Sequence, residues 1–231
     1  MEADAAHHLG HVLRAQAGQL YELSDGESAW LARIESVARN RVEFALLEKL
    51  PAPAQTAEVT LLLSIVKFDA FEWAIEKATE LGVTRIIPLA AARGEKGLLA
   101  AAVKRSQRWQ KILLESSQQS RRLCVPQLAD LAKPAQAFAA QTAQFRLMLS
   151  ERSDAPSLRN SLARRNHAKS FVAVLSTAAL AIGPEGGWTE DELSAARAGG
   201  FQEASLGQLI LRTETAVIAA LASLNYALAP E

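Results

Sequence analysis

Cysteine is almost absent from this chain: Cys124 is the only one among 231 residues. A single thiol forms no internal disulfide, which excludes a disulfide-stapled secreted scaffold and points to a reducing, cytoplasmic setting. Soft metal ligands are as scarce. Four histidines and one cysteine fall short of a structural zinc site with its four spaced ligands, and His7, His8 and His11 read as a loop or strand end rather than a metal centre. No apolar run approaches the roughly 20 residues that cross a bilayer. The opening MEADAAHHLG has neither the basic flank nor the apolar stretch of a signal peptide. Aromatic residues make up 6% of the chain, and 25 basic side chains balance 25 acidic ones, so no global charge argues for nucleic acid or membrane. Two phosphate-binding signatures are also absent: neither GxGxxG nor GxxxxGK[ST] occurs anywhere.

What is present is a globular composition, 49% hydrophobic and 22% charged, in a chain long enough for one large domain or a small and a medium one. The zero balance conceals local bias. Residues 93–122 hold eight basic side chains against two acidic, and residues 146–169 six against two. Residues 1–54 hold five against eight, and residues 170–231 two against seven. The two basic segments form either a phosphate-facing patch or solvated helix faces, and charge alone favours the second.

Up to about residue 54 the pattern is short and β-like. QLYELSDG (19–26) alternates into an Asp-Gly turn, SAWLARIESV (28–37) alternates again, and RVEFALLEKL (41–50) follows, together predicting a small β-barrel. PAPAQ (51–55) reads as a linker, since its prolines disfavour helix and lack ladder donors. Beyond it strands and helices alternate. EVTLLLSIV (58–66) is apolar throughout, as in a strand covered on both faces. Asp69 is expected to cap a helix with Glu72 as its capping-box partner, carrying Phe71, Ile75, Ala78 and Leu81 on one stripe and stopping at Gly82. VTRIIPL (83–89), FRLMLS (145–150), FVAVL (171–175) and ALAIG (179–183) supply further strands. SQRWQKILLESSQQSRR (106–122) forms a helix with Trp109, Ile112 and Leu113 inward, and Thr189 with Glu192 a second capping box on a helix ending at Gly199. The rhythm is that of an α/β domain with a mostly parallel sheet.

Such sheets bind ligands in the loops at the carboxyl ends of their strands. AIGPEGGWTEDEL (181–193) is one such loop, with Trp188 as a flat apolar surface. Its glycines serve either a turn that needs positive φ or the close approach of another group to the backbone. ASLGQLILRTETAVIAAL (204–221) is a second, running through Gly207 to a polar helix start, Arg212-Thr213-Glu214-Thr215. Two glycine-bearing loops, each with an acid, within fifty residues suggest one site built from neighbours.

These two motifs, with HHLGHVLR (7–14), KFDAFEWAIEKATELGVTRIIPL (67–89) and RWQKILLESSQQSRRLCVPQL (108–128), resemble the RsmE-type 16S ribosomal RNA uridine-N3 methyltransferases of the SPOUT class, over nearly the whole chain. The resemblance implies a PUA-like RNA-binding β-barrel over residues 1–54 and, over 57–231, an α/β methyltransferase domain threaded as a trefoil knot. It implies S-adenosylmethionine as cofactor, small-subunit 16S RNA as substrate, a homodimer, and neither membrane nor metal. Carried over by position, Gly183, Pro184, Glu185, Gly186 and Gly187 line the cofactor pocket, joined by Ser205, Leu206, Gly207, Ile210, Leu211, Thr215 and Ala216, with Leu149 on a third wall. Arg14, Lys67, Arg93, Arg105, Arg108 and Arg122 are assigned to RNA. The family pattern is broken at Phe68, Ala92, Gly94, Gln118, Gln208 and Leu209, polar positions within an intact hydrophobic framework.

Chemistry supplies its own reason for Arg212 and Glu214. Uridine N3 is a poor nucleophile until its proton leaves, and a sulfonium-borne methyl needs no metal to activate it. A guanidinium stabilises the developing uridinate, and a carboxylate takes the proton or orients the arginine. The two residues otherwise form a salt bridge with each other. Two further readings stay open: a related knotted enzyme with another target nucleotide, and a paralogue that binds RNA without catalysis.

Overall fold

A computed structural model describes residues 6–51, 57–167 and 177–228. The chain divides into two compact units, Met1–Gln55 and Thr56–Glu231.

The first unit opens on a π-helical turn, His8–Val12, and continues as an antiparallel meander of β1 (Leu20–Ser24), β2 (Ala29–Ala38) and β3 (Arg41–Lys49). The Asp-Gly turn forms as its sequence requires. Asp25 Oδ1 accepts from the backbone N–H of Glu27 and Ser28 at 2.9 and 2.7 Å, and Gly26 takes φ +92°. Ala38 pairs with Arg41, leaving a two-residue turn between β2 and β3. Ala6, Leu9, Ala15, Ile34 and Val42 form a small core with Tyr21 and Phe44 against it. Among the described residues the sheet has three strands in the order β1-β2-β3, with no β1–β3 ladder to close it into a barrel.

Among the described residues the second unit has a six-stranded, wholly parallel sheet in the order β6-β5-β4-β8-β7-β9. Its strands are β4 (Glu58–Ser64), β5 (Arg85–Leu89), β6 (Gln127–Leu128), β7 (Phe145–Leu149), β8 (Thr177–Ile182) and β9 (Gln202–Ala204). Its helices are α1 (Phe68–Glu80), α2 (Lys96–Ala102), α3 (Ser106–Gln119), α4 (Pro134–Ala139), α5 (Leu158–His167), α6 (Glu190–Ala198) and α7 (Thr213–Leu228). β4 is covered on both sides, as its unbroken apolar run predicts: Leu61 and Leu63 pack with Phe71, Trp109, Leu113 and Val217 of α1, α3 and α7, while Leu62 faces Phe138 and Leu193 of α4 and α6. The expected strand over 171–175 lies outside the described residues.

One capping expectation fails and the other holds. Asp69 does not cap α1. The helix begins two residues earlier, at Phe68, with Lys67 at the cap and no side-chain cap bond, and Glu72 meets Arg105 and Arg108 instead. Thr189 and Glu192 form a complete capping box on α6. Gly199 is the C-cap at φ −75°, and it is Gly200 that takes the left-handed conformation, φ +75°. The helix read to residue 122 ends at Gln119; Arg121, at φ 55°, turns the chain out of it. The short α4 has Pro134 in its first turn, a usual start signal for a helix. Among the described residues no helix is long and apolar enough to cross a membrane.

Candidate functional site

Three loops leave the carboxyl ends of the adjacent strands β8, β7 and β9 on one edge of the sheet. Hydrogen bonds lock them together. Ser150 N–H donates to the Ala204 carbonyl at 2.9 Å, Leu158 N–H to the Ser205 carbonyl at 2.7 Å, and Ser205 N–H to the Pro156 carbonyl at 2.7 Å. From β9 the chain returns across β7, and the Thr213 hydroxyl donates to the Gly183 carbonyl at 3.4 Å, at the end of β8. The expected trefoil requires a return crossing of this kind.

The loops surround a cavity of about 860 Å³, within the size range of small-molecule sites. Of the residues assigned to the cofactor, Leu149, Gly183, Pro184, Glu185, Gly187, Ser205, Leu206, Gly207, Ile210, Leu211 and Ala216 line it, as do Arg212 and Glu214. Lys67 and Arg93, assigned to RNA, also line it. Gly186 and Thr215 do not. A side chain on Gly186 would point at Arg93, whose Cβ lies 3.3 Å from the position a Cβ would take, and Thr215 faces outward from α7. Trp188, Arg152, Glu190 and Thr213 are also among the lining residues. Arg152 and Glu190 were not singled out from the sequence, because exposed charges beside a loop carry no pattern of their own.

The glycine motif answers to both of its candidate causes. Gly187 has φ +69° and closes a tight turn, donating its N–H to the Pro184 carbonyl at 2.8 Å. A Cβ there would lie 2.9 Å from Glu151 Oε1. Close approach is the rule at Gly183 as well, but the approaching group belongs to the protein: the Trp188 indole would lie 3.0 Å from a Cβ. That indole is buried, donates Nε1–H to the Leu149 carbonyl at 2.9 Å and meets Phe138 edge-on. Trp188 thus braces the floor of the site.

Charges around the cavity fall into paired and unpaired sets. Arg152 reaches Asp154, Glu190 and Glu203 at 3.2, 2.9 and 3.8 Å, and the hydrogen bond to Asp154, then the negative charges of Asp154 and Glu190, hold its pKa above the ordinary value. Arg212 is exposed and Glu214 half-buried, and among the described residues they make no ion pair with each other. The mutual salt bridge is therefore not formed.

Three of the residues assigned to RNA have partners within the protein. Arg105 and Arg108 converge on the buried carboxylate of Glu72, with N···O distances of 2.8 Å each, and Arg105 also stacks over Phe68. Arg122 donates to the carbonyls of Thr79 and Val83 at 2.7 Å each, and burial lowers its pKa. Local sequence did not reveal these partners, which lie 33 to 43 residues away along the chain. Arg14 stays exposed in the first unit, at φ 51°. In the same unit His7 and His11 stack, with ring centroids 4.7 Å apart, and among the described residues no group of three or more ligands gathers to hold a metal ion.

Residues 53–225 match the RNA methyltransferase domain and residues 2–47 the RNA methyltransferase PUA domain, which sets the class of this α/β protein. Ribosomal RNA small subunit methyltransferase E of Synechocystis is 36% identical over 95% of this chain and 70% of its own. The protein of that name from Bacillus subtilis is 29% identical over 96% and 88%. The crystal structure of the Neisseria gonorrhoeae protein of that name, bound to S-adenosylmethionine, superimposes with a TM-score of 0.84 at 31% identity, covering 98% of this chain and 90% of that one. The chain belongs to the ribosomal RNA small subunit methyltransferase E family.

Proposed function

We propose that this protein transfers a methyl group from S-adenosylmethionine to N3 of a uridine in 16S ribosomal RNA of the small subunit, acting as a homodimer in the cytoplasm. The cavity formed by the loops after β7, β8 and β9 carries the reading. Its volume suits a nucleoside with an amino-acid tail, and its wall includes Gly183, Pro184, Glu185, Gly187 and the run from Ser205 to Leu211, whose backbone groups would meet an adenine edge. Gly207, at φ +133° with no neighbour within 4 Å of a Cβ position, keeps the rim open. The bound cofactor supplies an electrophilic methyl on a positively charged sulfur.

Within the chain, Arg212 stands at the mouth of the cavity as a guanidinium that faces the uridine O2 or O4 and favours the uridinate. Glu214, two residues on, takes the N3 proton or passes it to water. The N3 lone pair then forms the new bond to carbon as the methyl leaves its sulfur. Lys67 joins Arg212 at the mouth as a phosphate contact, and the first unit with Arg14 supplies further RNA surface. Leu209 and Ile210, about four-fifths exposed, fit burial against a second copy. The test is incubation of the purified protein with S-adenosylmethionine and either free 16S RNA or small subunits, followed by nucleoside mass spectrometry. Appearance of 3-methyluridine supports the assignment. Methylation at another position gives the related enzyme, and cofactor-free RNA binding with no product gives the non-catalytic paralogue.

A further inference from the structure

Glu192 is buried, 8% exposed, and lies outside the wall of the cavity. Its capping-box duty occupies one carboxylate oxygen: Oε2 accepts from the Thr189 N–H at 2.9 Å and from the Thr189 hydroxyl at 3.0 Å. The other oxygen, Oε1, accepts the backbone N–H of Ala92 at 2.8 Å, across one hundred residues of sequence. Among the described residues no cation pairs with this carboxylate, so these bonds are what offset the cost of burying it.

Ala92 belongs to a turn closed by the Gly94 N–H on the Ala91 carbonyl at 3.0 Å. Arg93 leaves that turn, runs alongside Gly186, and donates Nη1–H to the Gly186 carbonyl at 2.9 Å. Arg93 is therefore a strut fixed at both ends, its base by Glu192 through Ala92 and its tip by Gly186. The strut runs along the 183–187 wall and itself lines the cavity beside it.

We propose that Glu192 is a positioning residue for the cofactor site, and that its second oxygen sets the Gly183–Gly187 wall by anchoring the Arg93 strut. This rests on the cofactor reading above. When the anchor is lost, the Ala92 N–H is left without its acceptor, the turn relaxes, and the wall no longer holds one shape before the ligand arrives. Preorganisation is what a ligand otherwise supplies from its own binding energy.

The test measures S-adenosylmethionine affinity by calorimetry, thermal unfolding and amide exchange on the full chain. Glu192→Ala should weaken affinity about tenfold, the size of one lost hydrogen bond to a charged group, and speed exchange at Ala92 and across 185–188. Glu192→Gln keeps an acceptor and should stay within about threefold of the unmodified protein. Thr189→Ala removes the cap alone and should lower Tm while changing affinity less than about twofold. If Glu192→Ala does not fold, Glu192→Asp, which keeps the charge at the helix start but falls short of Ala92, takes its place. Unchanged affinity and exchange in a folded Ala or Asp variant, with only Tm reduced, overturns the proposal. Failure of the unmodified protein to bind the cofactor overturns the functional reading instead, and exchange at 185–188 without ligand still decides the strut.

Discussion

Arg212 and Glu72 show at the residue scale how alike two charges look in a sequence and how differently they are spent. Arg212 has no ion-pair partner in the described structure, which suits a group waiting for substrate. Arg212→Lys should leave cofactor and RNA affinity within about twofold and lower kcat by about tenfold or more, because the lost planar fork acts on the transition state. Raised pH should recover part of the rate as solvent helps to remove the N3 proton. Single-turnover methylation across pH measures both. A variant that melts early yet methylates normally would remove Arg212 from catalysis.

Glu72 is the opposite case. Burial pushes its pKa up, but hydrogen bonds from Arg108 and Arg105 outweigh that and hold it below the ordinary carboxylate value. A carboxylate depressed in the folded state contributes stability that is complete above its unfolded pKa and is lost as pH falls through the folded one. Glu72→Gln should therefore lower Tm at neutral pH by a few degrees, about 1 kcal/mol. The gap from the unmodified protein should close progressively below about pH 5, and thermal melts from pH 7 to pH 3 read this directly.

Elements are held by side chains that bridge them. Phe71 on α1 is fully buried and its ring centre lies 4.6 Å from that of Trp109 on α3. Phe71→Ala should cost about 3–5 kcal/mol by cavity formation, seen in chemical denaturation. Arg122 ties the chain after α3 to the end of α1 through the Thr79 and Val83 carbonyls. Arg122→Ala should lower Tm and leave the salt dependence of RNA binding by the folded protein unchanged. A shallower salt slope would instead return Arg122 to the phosphate contacts.

The whole molecule has two units, and every residue lining the cavity lies between Lys67 and Ala216. We expect residues 56–231 expressed alone to keep S-adenosylmethionine affinity within about threefold while RNA affinity falls about tenfold or more, with most of the loss in the salt-dependent part. Calorimetry and filter binding across salt check the two halves of that expectation separately. Cofactor affinity lost along with RNA affinity would mean that the site depends on the first unit.

The sequence alone determined whatever depends on near neighbours in the chain. The covered strand at Leu61–Leu63, the Asp25-Gly26 turn, the Thr189–Glu192 capping box and the two glycine-bearing loops were legible because periodicity, turn chemistry and capping act over a few residues. Only the tertiary structure decided which partner each side chain met. Gly183 makes room for Trp188, Gly186 lies against Arg93, Glu72 leaves its helix start for Arg105 and Arg108, and Arg122 turns inward to two carbonyls. Ala92 and Glu192 stand one hundred residues apart and meet at 2.8 Å. A hydrogen bond or an ion pair is decided by distance in space, and in a parallel sheet, where each strand returns only after a crossover, that distance is set by strand order and not by separation along the chain.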